Sequence, residues 1–211
     1  NSVDKYIVMD WIEGKDMNNL KFIFGNLKEN FEKQKQFLKI FLVYLNELKK
    51  MHLSFYTHRD LKLDNLMYYF KNGEFYFCIV DFGSSFDNRC DIKERCNSKS
   101  PGFSPSEQNT SKESYGSDIY ALGVCFEKML TLLKFKKEMG NEINGMIDNM
   151  RQKNINERIS IDKCIQTILS VYQKLELNNI NINNKGDSAN QDDIFECFLN
   201  NKEYTQPPLT D

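Results

Sequence analysis

At 211 residues the chain holds one domain with a sizeable core and a tail, and two full domains would be cramped. Lys and Arg number 28 against 30 Asp and Glu, a formal net charge of −2 at pH 7, which excludes a broad basic face for nucleic acid or an anionic membrane. The 40% hydrophobic and 13% aromatic content, with 10 Gly and 4 Pro, is that of a globular, mostly helical chain, neither collagen-like nor disordered throughout.

Residues 5–12, Lys-Tyr-Ile-Val-Met-Asp-Trp-Ile, are β-branched and aromatic and end at Glu13-Gly14, so they predict a strand that runs into a short polar connection. Over residues 31–51 the apolar positions Phe31, Leu38, Phe41, Leu45 and Leu48 recur at helical spacing with Lys and Glu between them, which predicts an amphipathic helix of several turns. Residues 66–70 and 75–80 are two strand-like runs joined by Lys71-Asn72-Gly73-Glu74, and Asn-Gly marks a hairpin because both residues tolerate positive φ. From Ser84 to about Tyr115 the chain is polar and aperiodic, too long for an ordinary connection, and reads as a functional loop. Ser117-Asp118 opens an apolar helix to Leu133, in which Ala121 and Gly123 allow close approach of a neighbour. Residues 142–150 and 160–175 predict two more helices, the second capped by Ser160. After Leu177 the composition turns Asn-rich, and disorder is expected from there, with a short amphipathic turn at 194–199.

The six cysteines, at 78, 90, 96, 125, 164 and 197, form no CxxC unit and have only two His beside them, so free thiols in a reducing compartment are expected rather than disulfides or zinc. The first residues carry neither the basic start nor the apolar run of a signal peptide, and a soluble, cytoplasmic protein is the expectation. Asp87, Asp91 and Glu94 read as a solvated loop and not as a metal site, and Cys90 and Cys96 as inert thiols.

The chemistry concentrates at His58-Arg59-Asp60-Leu61-Lys62-Leu63-Asp64-Asn65, before the hairpin, and at Asp81-Phe82-Gly83, directly after it. In that order, with the hairpin between them, these segments resemble the catalytic loop and metal-binding tripeptide of the eukaryotic protein kinases. Upstream, residues 6–14 resemble the last strand of the family's small lobe and its hinge, and downstream residues 100–107 resemble the end of the activation segment, with Pro105-Ser106-Glu107 where Ala-Pro-Glu is usual. The resemblance implies a mainly α fold: a helical, kinase-like C-lobe over 16–176 bearing a short hairpin, preceded by the last N-lobe strand and hinge over 1–15 and followed by a tail over 177–211.

It also implies roles. Asp60 accepts or orients the proton of a substrate hydroxyl, Lys62 sits near the γ-phosphate, Asn65 and Asp81 hold Mg²⁺, and ATP lies against Met9, Asp10, Ile12, Asp16 and Met67. His58 packs under Phe82 beside Gly83, Ser100 hydrogen-bonds Asp60 and Lys62, Glu107 pairs with Arg158, and Asp118 anchors the backbone of the catalytic loop. Arg59 implies control by phosphorylation of the activation segment, with Ser98 as the first candidate acceptor ahead of Ser84, Ser85 and Thr110. Lys62, two places after Asp60, implies a Ser/Thr protein substrate, with no nucleic-acid or membrane partner.

The family's Gly-rich loop, its small-lobe Lys and the helix Glu that pairs with it have no counterpart in these residues, so this chain alone is expected to be weak or inactive in phosphotransfer and to need the missing lobe or another protein partner. The short stretch 134–142 also lacks the family's usual extra helix. Two functions follow: a Ser/Thr protein kinase of which this is a fragment, or a non-catalytic kinase-like interaction module.

Overall fold

The computed structural model describes residues 11–25, 27–90, 100–108, 110 and 114–182. Chain order is strand β1 (Lys15–Asp16), helix α1 (Lys21–Phe24), α2 (Asn30–Leu53), β2 (Tyr56–Thr57), β3 (Leu66–Lys71), β4 (Glu74–Ile79), β5 (Phe86–Asp87), then α3 (Tyr115–Leu132), α4 (Gly140–Met150) and α5 (Ile161–Ile182). Single 3₁₀ turns lie at Met17–Asn19, Leu63–Asn65, Phe82–Ser84 and Ile155–Glu157.

The predicted hairpin forms because its turn suits it. Asn72 and Gly73 both take positive φ (52° and 86°), matching the right-handed twist of the strands on either side, and β3 pairs antiparallel with β4 from Leu66↔Ile79 to Lys71↔Glu74. The start of the chain departs from expectation. Residues 5–10 of the predicted strand lie outside the described residues, Trp11–Gly14 have no regular structure, and the stretch read as a polar connection supplies β1, which pairs with β3 through Lys15↔Tyr68 and Asp16↔Met67.

Helix α2 spans the predicted segment but is less one-sided than its spacing suggests. Every residue from Ile40 to Asn46 is buried, so the middle of the helix is surrounded and only its ends are amphipathic. It packs on α5 and β4, with Phe41 stacked on Phe126 of α3 at 3.9 Å between ring centroids and Phe37 stacked on Phe135 at 5.3 Å. Helix α3 begins ahead of Ser117: Ser114 is its N-cap, its hydroxyl accepting from Gly116 N, while Ser117 is the N3 residue of the capping box. Gly123 does allow the close approach read from the sequence, since a Cβ there would stand 2.7 Å from Met150 Cβ on α4.

Ser160 caps α5 through Lys163 N (3.3 Å) as predicted, but the helix runs on past Leu177 to Ile182. With Ile168, Tyr172 and Leu175 already packed on the core, each further residue adds a backbone hydrogen bond at little cost, and the Asn-rich composition does not stop it. Residues 183–211 lie outside the described residues. Within the segment read as a featureless loop, Phe86–Asp87 forms β5 on β2, a pairing too short to show as a period. Cys78, Cys90, Cys125 and Cys164 are free thiols, and burial pushes Cys78 up to about 11 and Cys164 up to about 12. No described helix is long and apolar enough to cross a membrane.

Candidate active site

The segment from His58 to Asn65 crosses between β2 and β3, and its backbone is fixed by one buried carboxylate. Asp118, 1% exposed near the start of α3, accepts from His58 N (2.8 Å, Oδ2) and Arg59 N (2.9 Å, Oδ1). This clamp holds Arg59 at φ 71°, a conformation that a residue with a Cβ adopts only when its surroundings impose it. His52, at the end of α2, adds Nε2 to Asp118 Oδ2 (3.0 Å) and packs on Tyr115. Gln108, also buried, donates its side-chain amide to the Arg59 carbonyl (2.5 Å). Neither His52 nor Gln108 is picked out by the sequence as part of this framework; a His six residues before His58 is the signal available there.

His58 is fully buried and joins this loop to the end of β4. Its Nδ1 accepts from Asp60 N (3.3 Å) while Nε2 faces the Val80 carbonyl (3.1 Å), so the proton sits on Nε2. The Phe82 ring lies 5.3 Å from the imidazole, tilted by 55° to it, with Phe82 itself 55% exposed.

Asp60, Lys62, Asn65 and Ser100 meet in one cluster. Ser100 Oγ donates to Asp60 Oδ1 (2.5 Å), Lys62 Nζ to Asp60 Oδ2 (2.9 Å), and Asn65 Nδ2 to the Asp60 carbonyl (2.8 Å) and, more weakly, to Oδ2 (3.4 Å). Burial by itself would raise the Asp60 pKa, but the hydrogen bonds from Ser100 and Lys62 outweigh it and hold the carboxyl below its ordinary value. The same contact with Asp60 raises the Lys62 ammonium against its partial burial. The expected Ser100 bond to Asp60 is therefore present; the Lys62 ammonium goes to Asp60.

Val80 N donates to the Asn65 carbonyl (3.0 Å), which sets Asn65 and Asp81 together at the open end of the hairpin. Asp81 takes φ 64°, is exposed, and accepts a long bond from Gly83 N (3.4 Å). Because Asn65 Nδ2 is committed to Asp60, its Oδ1 is the atom left to face a ligand. Among the described residues no group of three or more His, Cys, Asp or Glu could hold a metal unaided.

Further out, Glu107 and Arg158 form a bidentate pair (Nη1 to Oε1 2.5 Å, Nη2 to Oε2 3.2 Å) with side chains 9% and 2% exposed. Arg158 also donates to the Gly116 and Gln152 carbonyls, and Ser117 Oγ donates to Glu107, so every donor and acceptor of the buried pair is engaged. Burial opposes ionisation of Glu107, yet the Arg158 hydrogen bonds dominate and lower its pKa.

Of the predicted nucleotide contacts, Met9 and Asp10 lie outside the described residues, as does Ser98. Asp16 and Met67 face each other in the β1–β3 ladder; one Asp16 oxygen caps the Met17–Asn19 turn through Asn18 N (2.9 Å) and Asn19 Nδ2 (3.0 Å), and the Ile12 carbonyl accepts from Gly14 N. The Arg59 guanidinium is buried over the Phe86 ring at 5.7 Å. A hollow of about 570 Å³ near Trp11, Phe22 and Phe70 is lined by none of Asp60, Lys62, Asn65 or Asp81; Ile12, Glu13, Lys15 and Lys71 also line it.

Residues 1–135 match the protein kinase domain family. Similar curated proteins include a serine/threonine-protein kinase, PknA, of a Nostoc species (29% identical over 60% of this chain and 22% of its own length). A probable serine/threonine-protein kinase 2 of Plasmodium falciparum is 32% identical over 59% of this chain and 24% of its own length, and calcium-dependent protein kinase 3 of Plasmodium berghei is 25% identical over 67% and 25%. The chain thus spans about a quarter of the length of these relatives.

Proposed function

The chain belongs to the protein kinase family, and from that premise we propose that it carries the catalytic half of a serine/threonine protein kinase, transferring phosphoryl groups from ATP to a protein hydroxyl inside the cell. The observation that carries this reading is the carboxylate of Asp60, held at once by Ser100 Oγ, Lys62 Nζ and Asn65 Nδ2.

Phosphoryl transfer asks little covalent chemistry of a protein; it asks for a hydroxyl aimed at phosphorus and for charge to be neutralised. With its pKa held low, Asp60 is a weak base. Its role is to orient the acceptor hydroxyl and to take the proton late, once the oxygen has become acidic. Lys62 keeps a compact positive charge within 2.9 Å of that carboxylate and so beside the transferred group. Ser100 bridges the activation segment to Asp60, so the geometry of the base depends on the order of that segment.

The donor set fits Mg²⁺, since Asn65 Oδ1 and the exposed Asp81 carboxylate are hard oxygens, too few for an all-protein site and suited to an ion that completes its shell with phosphate oxygens and water. When bound, Mg²⁺ supplies neutralisation of the phosphate charge. The nucleotide contacts fall to Met9, Asp10, Ile12, Asp16 and Met67, of which Asp16 and Met67 sit opposite each other on adjacent strands. The bounds read from the sequence, a hinge to residue 15 and a lobe over 16–176, remain part of this proposal, and α5 continues across the second of them to Ile182.

The test is phosphotransfer from labelled ATP to a Ser/Thr peptide by the protein that carries this chain, together with Mg²⁺-dependent nucleotide binding. Asp60→Asn is expected to lower turnover by at least about 10²-fold with nucleotide binding intact, and Asp81→Asn to lower both. Full activity in Asp81→Asn would refute the assignment. A wild-type protein without transfer would favour the non-catalytic interaction module instead.

A further inference from the structure

A second hollow, of about 290 Å³ and lined by none of the residues around Asp60, lies between α1, the first turns of α2 and the residues just after α3. Its lining is aromatic: Phe24, Phe37 and Phe135 are each at most 7% exposed, with Phe37 stacked on Phe135 and tilted against Phe24, and Leu133 also lines it. Its rim carries Lys21 and Lys33. Lys33 is half-buried, and among the described residues neither lysine has an acidic partner, although Glu29 and Glu32 share that end of α2. The N-terminus of a 24-residue helix adds its own positive field. An apolar slot with unpaired cations at its mouth suits a short segment that joins aromatic side chains to carboxylates.

We propose that residues 192–199 of this chain, Asp-Asp-Ile-Phe-Glu-Cys-Phe-Leu, are the occupant. At helical spacing Ile194 pairs with Phe198 and Phe195 with Leu199, while Asp192 and Glu196 fall together elsewhere, which provides an apolar wedge edged with acid. The described end of α5 lies toward the same end of the molecule as the slot. Helices α2 and α5 are antiparallel, as two ion pairs fix: Lys49 to Asp162 (2.7 Å) at one end and Lys35 to Glu176 (3.0 Å) at the other. Helix α5 therefore runs toward the N-terminus of α2, where Lys33 stands two residues from Lys35, and continues about 9 Å beyond Glu176 to Ile182. The ten residues from 183 to 192 reach up to about 33 Å, ample for a return to a slot beside the same helix end. The 290 Å³ volume takes one or two aromatic side chains rather than a cofactor. Docking there would tie α1, α2 and the α3–α4 connection together from outside the active site.

The experiment is hydrogen-exchange mass spectrometry on the 211-residue chain at several concentrations, with protection of α2 as the check on folding. In the wild type the amides of 192–199 are expected to exchange at least tenfold more slowly than in Lys21→Glu/Lys33→Glu or in Asp192→Lys/Asp193→Lys/Glu196→Lys, and the combined charge swap is expected to restore protection. Phe195→Ser, which leaves the body of the protein untouched, is expected to abolish it. Unprotected exchange in the wild type, or protection indifferent to all of these variants, overturns the proposal. Protection that appears only as concentration rises also overturns it, because the occupant would then be a second copy.

Discussion

Replacing Asp118 by Asn tests whether one buried carboxylate sets the conformation of the catalytic segment. The carboxylate accepts from His58 N, Arg59 N and His52 Nε2 at 2.8 to 3.0 Å and is 1% exposed. Asparagine offers one oxygen in place of two and turns an NH₂ group toward one of the backbone donors. One charge-assisted bond is lost, about 1.5–3 kcal/mol, and one buried N–H is left without an acceptor, about 1–3 kcal/mol. If these contributions add, the cost is about 2.5–6 kcal/mol, while relaxation of Arg59 from φ 71° would recover about 1–2 kcal/mol. The net expectation is about 0.5–5 kcal/mol. In urea denaturation at pH 7, with a slope of about 2 kcal/mol/M for a domain of this size, the midpoint should fall by about 0.3–2.5 M with the slope unchanged. A shift under about 0.3 M would show that other contacts hold the segment and would refute the argument. His52→Leu, which removes one of the three donors but no backbone bond, should cost less than Asp118→Asn in the same assay.

Gly123→Ala sets two known effects against each other: helix propensity favours Ala by about 1 kcal/mol, but the new Cβ lies 2.7 Å from Met150 Cβ and 3.1 Å from Arg151 Cγ, and overpacking costs about 1–3 kcal/mol. Net destabilisation in thermal unfolding is expected, and a stabilised variant would show that α3 and α4 part easily. Phe41→Ala, which empties a fully buried site against Phe126, should cost about 3–5 kcal/mol by the same measurement. Glu107→Gln should cost about 3 kcal/mol at pH 7, the low end for a broken buried pair because backbone carbonyls still hold Arg158. The folded pKa of Glu107 lies below its unfolded value of about 4.3, so its contribution is complete above that pH and is lost as pH falls through the folded value. The stability gap between wild type and Glu107→Gln should therefore narrow from about pH 5 toward pH 3, and a constant gap would mean that Glu107 is not the titrating group.

Local chemistry made part of this protein legible in advance. Asn72-Gly73 dictates its own turn, the apolar spacing of 31–51 dictates α2 and Ser160 caps α5, because each depends on neighbours within a few residues. Resemblance to a family, and not spacing, pointed to Ser100 on Asp60, to Glu107 with Arg158 and to Asp118 under the loop, contacts that bridge 40, 51 and 59–60 residues. Only the tertiary structure could bring His52 to Asp118 and Gln108 to the Arg59 carbonyl, extend α5 to Ile182 through an Asn-rich stretch, and pair the two-residue strands β1 and β5. A helix or a tight turn is specified by interactions within four residues and leaves a period in the sequence; a buried carboxylate with donors from two distant segments leaves none, because its partners are chosen by how the helices pack.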